Sequence, residues 1–419
     1  MIKAGKPVSF ASIIKSLAAI FLFSVISLPT GIILGVNFKV ILSIIMLAAI
    51  LIYLISIRKI EIGLVVFSVF SIAFICFLIL MTLNGTIFNG NNFAFRELSD
   101  FISAFYVIFV LFVVYKLNLL KMNELIRISI VAAIAYSAVK VLVFFAIFFG
   151  YIDYRAVISI MENSLGLIPI IDNYGNGIIR IQIANDSILP YILFFYLIGH
   201  KKLKSINVIA VILLVGFAIA VSFARYYWFA GLFCVITPLL FTAITERRGA
   251  KNTISSLIAA IVFLGLVGYI SEDKIVKNVL SERISGNGTV VSDRIRVEQI
   301  YYLQEEFDKK PLFGNGMGGN IKTYRRSEYI PYAYEVQWLG YLMKFGIIGN
   351  FALIIFVLSV ISIDFRKLIS VFIALAYIVW LMSGMFNPNL VSSAGGAIFG
   401  MFLVAFESIK NRHRIGGAS

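Results

Sequence analysis

Apolar residues run along this chain in blocks of roughly 20, separated by short polar stretches. That is the length an α-helix needs to cross the hydrocarbon core of a bilayer. A membrane-spanning barrel would show shorter segments of alternating character instead. The pattern therefore predicts an all-α polytopic membrane protein with about 12 transmembrane helices. They are placed at Phe10–Leu34, Val40–Ile57, Ile62–Leu83, Leu98–Tyr115, Leu125–Phe149, Ile183–Ile198, Ile206–Phe223, Tyr227–Ile244, Thr253–Ile270, Val336–Ile361, Leu368–Phe386 and Leu390–Ser408. The first apolar run lacks a small-residue cleavage site, so it is expected to be a spanning helix rather than a removed leader.

Basic residues orient these helices. Lys3/Lys6, Arg58/Lys59, Lys116/Lys121/Arg127, Lys201/Lys202/Lys204, Arg247/Arg248/Lys251, Arg366/Lys367 and Lys410/Arg412/Arg414 all fall on one side if the helices alternate. Short loops rich in Lys and Arg stay in the cytoplasm. The expectation is a multi-pass protein of a bacterial inner membrane with both termini cytoplasmic. The other side receives Asn84–Asp100, Gly150–Gln182, Ala224–Arg225, the long Ser271–Tyr334 segment and Asn387–Pro388–Asn389. Residues 1–419 then form one transmembrane domain, with residues 271–334 as a cap between helices nine and ten. Within the cap, Val297, Ile300, Tyr301, Leu303 and Phe307 recur at helical spacing, which predicts an amphipathic helix over the membrane mouth, stopped by Pro311.

Composition agrees with this plan. The chain is 61% hydrophobic and 14% charged, against roughly 45–50% and about 25% for a soluble domain. The net charge of +15 sits in the short clusters between apolar runs, so it marks cytoplasmic loops rather than a nucleic-acid binder. Cys76 and Cys234 lie inside apolar runs and carry no metal-ligand spacing. Both histidines, His200 and His413, fall on the cytoplasmic side. Neither a Walker loop nor a dinucleotide fingerprint is present. No cofactor or metal is expected.

Several outer residues are chemically notable. Arg180 stands just before one helix, Arg225 opens another, and Arg294 and Arg296 open the cap helix. Each can snorkel to headgroups. As a group they suit a lipid-linked diphosphate, because the guanidinium fork donates paired hydrogen bonds to phosphate. Glu335 precedes an apolar run and is either a general-base candidate or a carboxylate facing a helix dipole. The turn Phe313–Gly–Asn–Gly–Met–Gly–Gly319 is either a tight irregular turn or a place where backbone approaches a ligand. Lys140, inside a spanning run, has an open role. Tyr226, Tyr227, Trp228, Tyr324, Tyr329, Tyr332 and Tyr334 either stack on sugars or form an interfacial belt.

Three stretches resemble the O-antigen polymerase and ligase superfamily: Ser292–Asp–Arg–Ile–Arg–Val–Glu–Gln–Ile300, Lys310–Pro–Leu–Phe–Gly–Asn–Gly–Met–Gly318, and Glu335 through Phe345–Gly–Ile–Ile–Gly349. Ser222–Phe–Ala–Arg225 is similar to the family's Ser-Arg junction, and Arg180 to its preceding outer arginine. In the ligases an essential outer His stands eleven residues before the Gly-x-x-Gly motif. Here that motif starts at Gly346, and Glu335 occupies the place. This departure favours the polymerases. Either Arg294 or Arg296 aligns with the family's arginine.

The resemblance implies a GT-C-like membrane glycosyltransferase without an obligatory metal. It would polymerise undecaprenyl-diphosphate-linked oligosaccharide repeat units, moving the growing chain from its lipid diphosphate to an acceptor repeat unit on the periplasmic side. Glu335 would be the base. Arg180, Arg225 and one of Arg294/Arg296 would hold the diphosphate. A chain-length regulator protein is an expected partner. The rivals are an O-antigen ligase, which transfers polysaccharide to lipid A core, and a flippase for lipid-linked oligosaccharides. The flippase would place ionisable residues near the bilayer midplane.

Overall fold

A computed structural model describes residues 9–33, 35–56, 61–173, 179–200, 205–245, 287–324 and 330–416. Among these, nine helices are long and apolar enough to cross a membrane, and two shorter apolar stretches, Ala184–Ile198 and Ile206–Ala220, accompany them. The expected helix Thr253–Ile270 lies outside the described residues, as does much of the expected cap before residue 287.

In chain order the helices are α1 (Phe10–Ser27), α2 (Phe38–Ser56), α3 (Ile62–Leu83), α4 (Ala94–Lys116), α5 (Met122–Phe148), α6 (Tyr154–Leu165), α7 (Leu189–Ile198), α8 (Ile206–Ala220), α9 (Arg225–Thr245), α10 (Asn287–Lys309), α11 (Gln337–Ser359), α12 (Leu368–Met382) and α13 (Ser393–Gly416). Two short antiparallel hairpins join them: β1 (Ile32–Ile33) with β2 (Val36–Asn37), and β3 (Ile170–Asn173) with β4 (Ile179–Gln182).

α1 stops earlier than hydropathy predicts. Leu28 precedes Pro29 and takes an extended conformation (φ −115°, ψ 99°), as the proline ring demands of the residue before it. α6 and the β3–β4 hairpin both fall in the segment read only as an outer loop. α6 is delimited by Asp153, whose side chain accepts from the Arg155 N–H, and by Gly166 in the left-handed region (φ 58°).

The bundle centre is the pair α4 and α13. Gly396 and Gly400 let them touch: a Cβ on Gly396 would stand 2.1 Å from the Ala104 carbonyl oxygen, and one on Gly400 would stand 2.7 Å from Leu111 Cδ1. Small residues four apart are the usual route to close helix contact in lipid, where apolar burial gives no net drive. α2 and α3 lie at the other extreme. Ile44, Ile55, Ile62 and Val66 are all more than 60% exposed, as lipid-facing side chains are.

One end of the bundle gathers the basic loops. Lys116 pairs with Glu61 at 2.9 Å and with Glu407 at 2.5 Å. Lys367 donates to the Ile409 carbonyl, and Lys15 pairs with Glu124. Lys140 acquires a structural role deep inside. Its ammonium donates to Asp186 Oδ2 at 2.7 Å and to the Ala218 carbonyl at 2.8 Å, while Tyr136 donates to Asp186 Oδ1 at 2.8 Å. The Ile183 N–H also reaches Asp186 at 2.9 Å. α5, α8 and the turn before α7 are thus pinned together by a buried, hydrogen-bonded ion pair.

Removing one member of a buried pair strands the other charge, at a cost of about 3–5 kcal/mol. Lys140→Met is therefore expected to lower the thermal unfolding midpoint in detergent strongly, and Lys140→Met with Asp186→Leu to recover part of the loss. An unchanged midpoint in the single variant would show that the pair is no pin.

Candidate functional site

The end of the bundle opposite the basic loops is organised by the turn after α10. Lys309 ends that helix, Pro311 cannot continue it, and Gly314, Gly316 and Gly318 follow in the left-handed region (φ 66°, 72° and 74°). Added Cβ atoms there would lie 2.3 Å from the Lys344 carbonyl oxygen, 2.1 Å from Gly85 N and 2.3 Å from Ala94 N. Gly346 answers from the other side: it kinks α11 (φ 62°, ψ −171°), and a Cβ there would meet the Leu312 carbonyl at 2.3 Å. The glycines thus let backbone meet backbone.

Every N–H from Gly314 to Gly319 is already donated within the protein. The acceptors are, in order, the carbonyls of Lys310, Met343, Lys344 and Met81, then Glu97 Oε2 and the Gly316 carbonyl. This is an internal clamp and offers no amide cradle for phosphate.

A buried ion pair lies under the clamp. Lys344, in α11, reaches Glu97 of α4 and donates to the Tyr332 carbonyl at 2.7 Å. Its ammonium also lies 5.4 Å from the Tyr332 ring and 5.8 Å from the Tyr341 ring, within cation–π reach. The Tyr332 hydroxyl donates to Asp100 at 2.8 Å. Burial and that carboxylate push the Tyr332 phenol above its ordinary range. These contacts fix the strand of chain that carries Glu335.

The Glu335 carboxylate turns towards α10, with Oε2 3.0 Å from Arg296 Nε. The two side chains are 19% and 23% exposed, so the pair is less enclosed than the buried pair under the clamp. The Glu335 N–H donates to Gln299 Oε1 at 2.9 Å. Arg294 points elsewhere: it is 78% exposed and pairs with Glu298 at 3.1 Å. Of the two candidate arginines, Arg296 is the one beside Glu335.

Arg180 sits on β4. It pairs with Asp172 at 3.1 Å across the hairpin, donates to the Ser222 carbonyl at 3.2 Å, and also bonds Gln182. Ser222 belongs to the tight junction before Arg225, which starts α9. Phe223 in this junction has φ 48°, a strained value for a non-glycine residue. Arg180 and the Arg225 junction are thus joined.

Side chains around the α12–α13 connection link this half to the Glu335 half. The Arg296 guanidinium lies 5.9 Å over the Phe386 ring, and Phe386 stacks on Tyr226 at 5.4 Å. Asn389 donates to the Tyr227 hydroxyl at 2.8 Å, and the Leu390 N–H donates to Gln337 Oε1 at 3.2 Å.

Two expectations need correction. The cap helix buries only part of the face chosen by hydropathy. Val297 and Tyr301 are 65% and 66% exposed, whereas Leu303 of that face and Gln299 outside it are fully buried. The inward face carries Arg296 and Gln299 because the segment opposite presents a carboxylate and an N–H, which only polar side chains can meet. The aromatic candidates for sugar stacking are also mostly unavailable. Tyr226, Tyr227, Tyr332 and Tyr334 are buried, Trp228 donates to the Ala220 carbonyl, and Tyr324 stacks on Tyr302. Tyr329 lies outside the described residues. Among the described residues no cluster of three His, Cys, Asp or Glu side chains is placed to hold a metal.

Gly316→Ala is expected to cost at least about 3 kcal/mol, combining left-handed strain with overpacking, and to expose α10 to protease. Gly35→Ala, where φ is 82° but no atom lies within 4 Å of the added Cβ, should cost only about 1 kcal/mol. Thermal unfolding with limited proteolysis compares the two, and equal losses would rule out the clamp.

Compared with known proteins, the chain matches no family model and no curated relative.

Proposed function

We propose that this protein is a polymerase of undecaprenyl-diphosphate-linked oligosaccharide repeat units, acting at the periplasmic face of a bacterial inner membrane. On this reading the chain spans twelve times with both termini cytoplasmic, counting the two shorter apolar helices and Thr253–Ile270. One observation supports the reading above the rest. Glu335 and Arg296 form a largely buried ion pair that keeps about a fifth of each side chain exposed, tied through Phe386 and Tyr226 to the junction that carries Arg225.

The chemistry follows from that pairing. An acceptor-sugar hydroxyl attacks the anomeric carbon of the donor. Its oxygen forms the new glycosidic bond, its proton passes to Glu335, and the bond to the lipid diphosphate breaks with its electron pair staying on the diphosphate. Arg296, Arg225 and Arg180 take up the charge that builds on this leaving group. In the resting protein Arg296 holds Glu335. A diphosphate carries more charge than a carboxylate and competes for the same fork, so donor arrival releases Glu335 to act on the acceptor. The flippase reading loses its main residue, because Lys140 is locked in a satisfied pair with Asp186.

Purified protein, mixed with lipid-linked repeat units and no nucleotide sugar, is expected to build a ladder of products. Glu335→Ala should abolish it. Arg225→Ala and Arg296→Ala should each slow it about 100- to 1,000-fold, while Arg294→Ala leaves it unchanged. A ladder insensitive to Glu335 and Arg296 would remove this site from the reaction. Absence of a ladder with intact substrate and folded protein would remove the polymerase itself.

A further inference from the structure

Among the described side chains of α10, Gln299 is the least exposed polar one, on a stretch that is otherwise largely open. It is fully buried, whereas Val297 and Ile300 beside it are 65% and 42% exposed. Its Oε1 accepts the Glu335 N–H at 2.9 Å. A backbone N–H is met only by the oxygen of an amide, so this contact fixes which end of the side chain faces which way. The Nε2 end, with two hydrogens to donate, has no hydrogen-bond partner.

Buried amide donors are almost always partnered, and an unmet one calls for a reason. The surroundings supply it. Gln299 stands three residues after Arg296 and therefore shares its helix face. The N–H that grips its oxygen belongs to the residue whose carboxylate pairs with Arg296. The open donor is thus within one amide width of the Glu335 backbone, beside the ion pair. A purely structural glutamine would have both ends met. This one is tied down at its acceptor end and leaves its donor end for something else.

We infer that Gln299 is a ligand-binding residue, whose side-chain N–H groups donate to an anionic oxygen of the diphosphate that Arg296 holds. This rests on the diphosphate reading of the site above. A group that only donates, next to a guanidinium, selects a ligand that only accepts, and a diphosphate presents such oxygens in a row. Gln299 adds a neutral donor where a further cation would pair with Glu335 instead. It also ties ligand binding to the base, since the same amide holds the Glu335 backbone.

The test uses the full-length protein in detergent, with inorganic pyrophosphate and sugar-free undecaprenyl diphosphate as probes in binding titrations. Gln299→Glu keeps an oxygen for the Glu335 N–H and removes the donor. Gln299→Met removes both without adding charge, and carries the test if the extra carboxylate prevents folding. Hydrogen exchange at the Glu335 amide separates their effects on the backbone. Both variants are expected to weaken probe binding about tenfold or more, as loss of a hydrogen bond to a charged group does. Exchange at Glu335 should rise only in Gln299→Met. If Arg296→Ala loses the probe while both Gln299 variants bind within about twofold of wild type, the inference is overturned and the diphosphate site stands. If the wild-type protein binds neither probe, the diphosphate reading falls and this inference with it.

Discussion

Gly314 and Gly346 approach each other backbone to backbone, and the end of the molecule that holds Glu335 is assembled on that contact. A kinked apolar helix opens carbonyls and N–H groups that lipid cannot satisfy. Here the kink at Gly346 is filled from the turn after α10. The N–H groups of Asn315 and Gly316 reach the carbonyls of Met343 and Lys344, and the Ile347 N–H returns to the Pro311 carbonyl. Side chains at either glycine would hold the two backbones apart. Because the clamp lies just after α10, it also sets where that helix stands, and with it Arg296 and Gln299 above Glu335.

Burial separates the ionic contacts of this protein into two kinds. Lys344 with Glu97, and Lys140 with Asp186, are almost completely enclosed, and additional hydrogen bonds meet their remaining atoms. In such surroundings a charge cannot leave its partner without a large desolvation cost, so these pairs behave as fixed pins. Arg296 and Glu335, each about a fifth exposed, are less enclosed than these pins. Exchanging one anion for another costs less there, which suits a group that must let go of one partner to take up the next.

Hydropathy alone located every described spanning helix, because the bilayer imposes length and apolarity on each of them. Boundaries were harder. The stop before Pro29 is readable from the proline, although the apolar run continues past it, and the β3–β4 hairpin is readable from alternating Ile179, Ile181 and Ile183 after the sequence Gly–Asn–Gly. The choice between Arg294 and Arg296 depends on helix phase. Two residues apart on a helix is about 200° of rotation, so only one of them faces inward, and the phase is set by the segment opposite. Gln299 is hidden for the same reason, because hydropathy assigns the apolar face of an amphipathic helix to the interior. Lys344 sits in an apolar run as Lys140 does, and its position inside a span was the available clue.

The two arginine groups come from distant parts of the chain, and their spacing depends on a very short connection. Phe386 lies under the Arg296 guanidinium and against Tyr226, the residue after Arg225. Three residues later Asn389 bonds Tyr227, and the Leu390 N–H bonds Gln337, two residues after Glu335. Pro388 stands in the middle of this turn, with φ fixed by its ring. The turn therefore touches both halves at each of its ends. Electrostatic stabilisation of a leaving group is effective when the charges are placed beforehand and need no reorganisation as the reaction proceeds. A rigid turn that spaces Arg296 from the Arg225 junction, backed by a backbone clamp that spaces Arg296 from Glu335, supplies that placement from elements that carry none of the chemistry themselves.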